Sequence, residues 1–300
     1  MDAGNAPNLT LPLATPPSAH RLAERLEQGD VHVLDAAATN GLPSDDDRSF
    51  LRSQELGHGK EIVFEPTSDR LTGFRVRSPE ETERLRAIFE ASQTRAAAWI
   101  RDALPEYGDA IEPFRTCFHV AEEATRCLRV TSRNDLLHVD ALHHSRGRRL
   151  LRLFVNLNPI DPRIWASSET LAKVLPSELP KSGLLDFTPS RLSVRLGHEM
   201  LRLLRAEREV LDPYDNLMLE FTRSLKHSDE FQERSPRKIW RFQPGQAWLA
   251  FTDTLVHADL RGRWILDHLF LLPRSACVRP ELAPAALLES LRSSRSRTAA

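Results

Sequence analysis

The stretch Leu136-Leu137-His138-Val139-Asp140 decides the reading of this chain. In an extended strand residues i and i+2 project to the same face, so the His138 imidazole and the Asp140 carboxylate would emerge together while Leu137 and Val139 point the other way. A His-x-Asp pair is weak evidence alone, because composition gives roughly 0.7 of them by chance. This chain has three. His227-Ser228-Asp229 lies in the polar run Lys226 to Arg234 and reads as a solvated loop. His257-Ala258-Asp259 has strand-like neighbours, but only His268 follows it, too near to close a barrel around one ion. His138-Val139-Asp140 has apolar flanks, a following strand, and enough chain before His257 for several more strands. Two imidazoles and one carboxylate with open positions are the arrangement that non-haem Fe(II) oxygenases use. His138, Asp140 and His257 are therefore the expected metal-binding and catalytic residues.

The 300 residues carry 41 Lys and Arg against 42 Asp and Glu, for a formal net charge of −1. That balance excludes a globally basic nucleic-acid binder, and no basic stripe with interleaved aromatics is visible. Local clusters such as Arg146-Gly147-Arg148-Arg149 and Arg292 to Arg297 can still meet an anionic partner. A chain this long, 41% hydrophobic, can bury a sizeable core and lies near the upper limit for one domain. Cys117, Cys127 and Cys277 form no Cys-x-x-Cys unit, and their odd number fits a reducing compartment. Neither a signal peptide nor an apolar run of membrane-spanning length is visible, so a cytoplasmic location is expected.

Residues 1–18, with four prolines, read as an irregular lead-in, and 19–289 as one domain. His20 to Gly29 suits a short amphipathic helix, Val31 to Leu34 a strand, and Ser44 to Asp47 a solvated turn. Ser78-Pro79-Glu80-Glu81 is a capping box with Pro at the first helical position, and Leu85, Ile88, Phe89, Ala96, Trp99 and Ile100 follow at helical spacing until Pro105 and Gly108. The barrel core is expected over about 114–160 and 238–273, with a helical insert over about 166–225 that includes patterns at Ser168 to Leu175 and Leu192 to Leu211. In the strand Leu150 to Leu157, Leu151, Leu153, Val155 and Leu157 share one face. Arg152, Phe154, Asn156 and Asn158 share the other, which carries the chemistry. Arg148 and Arg149, near the Gly147 turn, are expected to be exposed. Asn158 to Trp165 reads as a loop, strands return from Ile239 to Leu272, and the Ser/Arg-rich tail 290–300 reads as frayed or interfacial.

Taken in order, His138-Val139-Asp140, the run Arg152 to Pro159, Pro162-Arg163-Ile164-Trp165, Tyr214-Asp215 with Met218-Leu219, and Pro244-Gly245 through Trp248 to Asp253 and His257-Ala258 resemble the Kdo hydroxylases. These are Fe(II)- and 2-oxoglutarate-dependent dioxygenases that hydroxylate C3 of a 3-deoxy-D-manno-oct-2-ulosonic acid (Kdo) residue in the lipid A inner core, giving Ko. The likeness runs from about Arg115 to Leu272 and is specific as an ordered set. It implies an α+β protein whose sheets form a double-stranded β-helix, a jelly-roll or cupin-like barrel buttressed by helices, with the iron in its open mouth. By position, His138, Asp140 and His257 match the metal ligands. The link from Asp140 to Arg149 is shortened, which bears on the substrate rim.

The resemblance implies Fe(II), 2-oxoglutarate and O2 as cofactors, with ascorbate as an in vitro reductant, and release of succinate and CO2. Many relatives carry a basic residue about ten positions after the distal His; here that neighbourhood holds Asp267 and His268. The distal carboxylate of 2-oxoglutarate suits a planar guanidinium, so Arg152, on the inward face with Asn156, is the expected anchor and Arg263 the reserve. Burial of an Arg there would itself demand a nearby carboxylate. Arg115, Arg133 and Arg163, with Trp165 as a wall, are the expected contacts for sugar carboxylates and lipid phosphates. The substrate implies peripheral contact with the anionic cytoplasmic face of the inner membrane, where the basic tail would assist; the oligomeric state is left open. Two alternatives stand beside this reading. One is a 2-oxoglutarate oxygenase acting on a protein side chain or small metabolite; the other is a non-catalytic cupin-like protein holding zinc or nothing.

Overall fold

The computed structural model describes residues 19–34, 42–122, 125–184 and 212–298. The lead-in 1–18 and the pattern Leu192 to Leu211 lie outside these. In chain order the elements are α1 (Ala19–Glu27), β1 (His32–Leu34), α2 (Asp45–Arg52), β2 (Ile62–Glu65), β3 (Arg70–Thr72), α3 (Pro79–Ala103) and β4 (Glu112–His119). They continue with β5 (Arg149–Asn156), β6 (Arg163–Thr170), α4 (Leu171–Lys181), α5 (Pro213–His227), α6 (Asp229–Arg234), β7 (Lys238–Phe242), β8 (Ala247–Phe251), β9 (Leu255–Arg261), β10 (Ile265–Leu272) and α7 (Pro284–Thr298).

Two antiparallel sheets face each other. One has seven strands in the order β1-β8-β5-β10-β4-β2-β3, and the other three, β7-β6-β9. From β4 onward the chain winds between them: β5 joins the large sheet, β6 and β7 the small, β8 the large, β9 the small and β10 the large. That winding is the expected jelly roll, with helices on its outer faces.

Strand alternation sorts the core. Leu151, Leu153 and Val155 of β5, with Leu249, Phe251, Leu266 and Phe270, turn outward onto Leu85, Ile88, Phe89, Ala96 and Ile100 of α3 and onto α1. Ser78 caps α3 by accepting from Glu81 N at 3.2 Å, and Pro79 opens it as expected. Behind the small sheet, Val256 and Ala258 pack on Leu171, Leu175, Leu217 and Phe221 of α4 and α5. Between the sheets, at one end of the barrel, Phe242 stacks on Trp248 at 3.9 Å between ring centroids and Trp248 on Phe154 at 4.9 Å. This aromatic plug closes that end.

Five expectations change. Arg163–Thr170 is strand β6 and not a loop, and α4 begins only at Leu171; β6 pairs with both β7 and β9, so tertiary pairing overrides the weak local signal left by Pro159 and Pro162. Ser44 to Asp47 opens α2: Ser44 caps it, accepting from Asp47 N, and three aspartates fill the first turn where the helix dipole favours them. The tail from Ser290 continues helix α7 through Thr298. Arg149, expected at the surface, is fully buried, with Nε 3.0 Å from Asp253 Oδ2 and Nη2 2.6 Å from Thr254 Oγ1. The large sheet also takes in β1, β2 and β3, outside the expected barrel core.

His268 is buried between β10 and α3. Its Nδ1 lies 3.0 Å from Thr116 Oγ1, whose proton goes to Gln93 Oε1, and its Nε2 lies 3.0 Å from Ser92 Oγ. Nδ1 therefore carries the proton, and in the neutral ring Nε2 accepts from Ser92 Oγ. Burial lowers its pKa from 6.5 to about 4, with Asp267 opposing. The unfolded chain binds this proton first, so stability is full above about pH 6.5 and falls by about 3 kcal/mol as pH drops towards about 4. His268→Gln should flatten urea-unfolding stability against pH across that window; an unchanged slope would remove His268 as the cause.

Candidate metal centre

His138 and His257 come together through their backbones. Residues 136–140 form no full strand; His138 makes an isolated antiparallel bridge to His257, exchanging N–H···O bonds of 3.0 and 2.8 Å. Asp140 N donates to Thr252 O at 2.8 Å. The ligand-bearing segment is thus clipped to β9 and to the β8–β9 turn. Leu137 and Val139 point into the core behind the small sheet, as their alternation with the two ligands required.

Among the described residues, His138, Asp140 and His257 are the group of His, Cys, Asp and Glu able to hold a metal ion, with one ligand atom from each lying within 4.8 Å of the others. Asp140 Oδ1 is 3.6 Å from His138 Nε2 and 3.9 Å from His257 Nε2. His138 Nδ1 lies 2.7 Å from Leu136 O and His257 Nδ1 2.9 Å from Leu255 O. A carbonyl only accepts, so both rings carry their proton on Nδ1 and present the Nε2 lone pair to the same point. Trp165 stacks on the His257 ring at 5.0 Å between centroids and fixes its plane.

The electrostatics favour a cation there. Burial, aided by Lys226, lowers His138 to about 4, so the imidazole is neutral and ligand-competent. Burial alone would raise Asp140; the Arg152 guanidinium and the two imidazoles instead hold its carboxyl well below the usual range. Two imidazoles that turn Nε2 to one point and one carboxylate, each oriented by a second contact, fit an octahedral Fe(II) that keeps three open positions.

The ligands face a cavity of about 290 Å³ whose walls include Lys60, Glu61, Arg115, His119, Arg152 and Asp267. Arg152 is buried between two carboxylates, with Nε 2.7 Å from Asp140 Oδ2 and Nη1 paired to Asp267 Oδ2. Its Nε–H is not directed along the Asp140 contact, so that contact is an ion pair more than a hydrogen bond. The carboxylate that burial of Arg152 demanded is present twice. His119, missed in the sequence, bridges Glu61 at 3.4 Å and Asp267 at 3.6 Å; burial opposes its protonation, but these carboxylates raise its pKa. Only its alternation with Arg115 and Cys117 on β4 could have signalled it.

The other expected site residues divide. Arg115 lines the cavity. Asn156 does not reach it: Nδ2 donates to Asp161 O and Phe242 O, and Oδ1 accepts from Asn158 N, so the amide is spent on the chain's own turns. Arg263 is exposed on the β9–β10 turn, 3.8 Å over the Trp264 ring. Trp165 is fully buried behind His257 and is no wall at the mouth. Arg163 is buried, with Nη2 2.8 Å from Asp259 Oδ1 and Nη1 donating to Gly262 O at 2.5 Å; there it braces the turn in which Gly262 adopts φ +114°. Burial would raise Asp259, but Arg163 and then His119 and His257 hold it near 2. Arg133, near the rim, pairs with Asp135 at 2.9 Å.

The sequence matches the model of the 3-deoxy-D-manno-oct-2-ulosonic acid (Kdo) hydroxylase family over residues 12–295. No curated protein sequence matches it. The apo structure of the Kdo hydroxylase KdoO, a non-haem Fe(II) α-ketoglutarate-dependent dioxygenase, superposes with a TM-score of 0.78 at 29% identity, covering 91% of this chain and 89% of that one. The cobalt(II) complex of KdoO gives the same values. Its complex with α-ketoglutarate and Fe(III) gives a TM-score of 0.77 at the same identity and coverage. With nearly its whole length matched, the chain belongs to the Kdo hydroxylase family.

Proposed function

We propose that this Fe(II)- and 2-oxoglutarate-dependent Kdo hydroxylase adds one hydroxyl to C3 of a Kdo residue in the lipid A inner core, giving Ko, and that His138, Asp140 and His257 hold its iron. The observation that carries the residue assignment is the convergence of these three ligand atoms within 4.8 Å, facing a cavity whose walls carry Arg115 and Arg152 beside Glu61 and Asp267. When bound, the iron supplies the oxidising power, with 2-oxoglutarate and O2 consumed and succinate and CO2 released.

The chain's own residues bind and orient. The bridge between His138 and His257 sets the angle between the two rings, and Arg152 fixes the outer oxygen of Asp140. The aromatic plug of Phe154, Trp248 and Phe242 excludes water from one end, so reactants enter by the cavity. Arg115 and Arg152 put positive charge on the wall that meets an acidic sugar and a diacid. C3 of Kdo is a methylene, so no side chain need carry a proton in the hydroxylation. No helix among the described residues is long and apolar enough to cross a membrane. The proposed contact with the lipid is peripheral docking at the cytoplasmic face of the inner membrane, a reading that the lipid-linked substrate and the exposed Arg292 of α7 support.

Mass spectrometry of Kdo2-lipid A after incubation with enzyme, Fe(II), ascorbate and 2-oxoglutarate should show one added oxygen, lost on chelation and restored by Fe(II). Succinate release without oxygen on the lipid would move the substrate elsewhere. No 2-oxoglutarate turnover with Fe(II) would leave a binding protein.

A further inference from the structure

A second cavity, of about 620 Å³, lies among the turn from α1 to β1, the junction of β6 with α4 and the start of β7, and it shares no lining residue with the metal cavity. That volume is in the range of sites for small molecules. Two of its lining residues brace a metal ligand: Leu255 O accepts from His257 Nδ1 at 2.9 Å, and Ser167 pairs in register with His257. The walls are set by close contacts. Gly29 turns at φ +96°, and a Cβ there would meet Thr170 Cγ2 at 2.5 Å, so glycine lets the α1–β1 turn close on β6. Trp240 donates Nε1–H to Ser167 Oγ at 2.8 Å, and Lys238 Nζ sits 3.8 Å from the centre of the Trp240 ring. Between these walls Ser168 Oγ is buried with no hydrogen-bond partner.

The charge in this cavity is unbalanced. Arg25 pairs with Asp30 at 2.9 Å and Lys173 with Glu169 at 3.5 Å, which leaves Arg237 and Lys238. Among the described residues neither forms an ion pair: Arg237 Nη2 donates to Gln232 O at 2.9 Å, and Lys238 has the Trp240 face. Two uncommitted cations suit a phosphate monoester, which carries about −1.5 to −2 at pH 7 and three acceptor oxygens, better than a carboxylate with a single charge. The remaining space, with the hydroxyls of Ser168 and Thr170 and the Gln28 amide, suits a hydroxylated body of the size of a hexose. We propose that this cavity is a binding site for a sugar phosphate, with Arg237 and Lys238 on the phosphate and Ser168 Oγ on a sugar hydroxyl. A phosphorylated sugar free in solution and one that forms the headgroup of a lipid present the same chemistry. The site is independent of the hydroxylation proposed above.

The test uses the full chain with Co(II) and saturating 2-oxoglutarate present, so that the metal cavity is occupied. Calorimetry titrates glucose 1-phosphate, glucose and inorganic phosphate into the wild type, Ser168→Ala and the double variant Arg237→Gln with Lys238→Gln, each checked for native circular dichroism and unchanged Co(II) affinity. The wild type should bind glucose 1-phosphate with a Kd of about 0.1–1 mM, at least about tenfold more tightly than glucose or phosphate alone. The double variant should lose about 10- to 100-fold of that affinity and Ser168→Ala about 3- to 10-fold. A second arm measures binding to micelles of lipid A without Kdo, whose glucosamines carry phosphates, and to the same lipid after phosphatase treatment. If glucose 1-phosphate fails to bind while both variants weaken binding to the phosphorylated micelles alone, the site stands and its ligand is a lipid headgroup. The site is overturned if neither glucose 1-phosphate nor the phosphorylated micelles bind, or if inorganic phosphate binds as tightly as glucose 1-phosphate. It is overturned equally if Ser168→Ala leaves every affinity unchanged, since surface charge alone then accounts for the binding.

Discussion

Asp140→Ala is expected to abolish hydroxylation of Kdo2-lipid A while the chain keeps its fold. The Asp140 side chain contributes nothing to the clip between residues 136–140 and β9, because the bonds of Asp140 N to Thr252 O and of His138 with His257 are all backbone. Removing the carboxylate leaves Arg152 paired with Asp267, so no uncompensated charge is stranded in the cavity wall. The metal point, by contrast, loses its sole anionic ligand among the three. Losing a group that merely orients a ligand costs about 10- to 100-fold in metal affinity. Loss of the ligand itself should exceed that, and hydroxylation falls with it. His138→Ala should behave alike, since its neutral ring is turned to the metal point by the Nδ1 bond to Leu136 O while the bridge to His257 is all backbone. Calorimetry with Co(II), circular dichroism and product mass spectrometry read affinity, fold and turnover on the same samples. Wild-type turnover in both variants would remove the metal assignment.

What was legible in the sequence followed from local chemistry. His138 and Asp140 stand two residues apart between leucines and valine, and His257 lies in a run of clear strand pattern, so all three could be read before their backbones were seen to pair. The alternation of β5 was legible too: Leu151, Leu153 and Val155 went to the outer core, while Arg152 and Phe154 went inward. Strand β6 was not, because Arg163-Ile164-Trp165-Ala166-Ser167 is buried at almost every position and so shows no period of two. Asn156 illustrates a different limit. Its parity is right, but at the far end of β5 its amide meets three backbone groups before any ligand. Which arginine takes a carboxylate depends on partners remote in sequence, such as Asp267, 115 positions from Arg152.

Arg149→Met is expected to destabilise the protein by about 3–5 kcal/mol, the cost of breaking a buried ion pair from one side. The strand parity that buries Leu151 buries Arg149 with it, and the guanidinium lies 4.2 Å over the Phe251 ring while bonding Asp253 and Thr254. Burial pushes the Asp253 carboxyl up even beside that guanidinium, so without it the group takes a proton instead of staying charged, which caps the penalty. For a chain of this length the melting temperature should fall by on the order of 10 °C. Arg149→Met combined with Asp253→Asn should lose less than the two single changes summed, because the double variant strands no charge. Residues 252–254 also carry the carbonyl that accepts from Asp140 N, so loosening this turn should lower Co(II) affinity in Arg149→Met. Urea unfolding of the two single variants and the double measures the coupling. A loss under about 1 kcal/mol, the range of an exposed pair, would mean that Arg149 reaches solvent and that the turn is held by backbone alone.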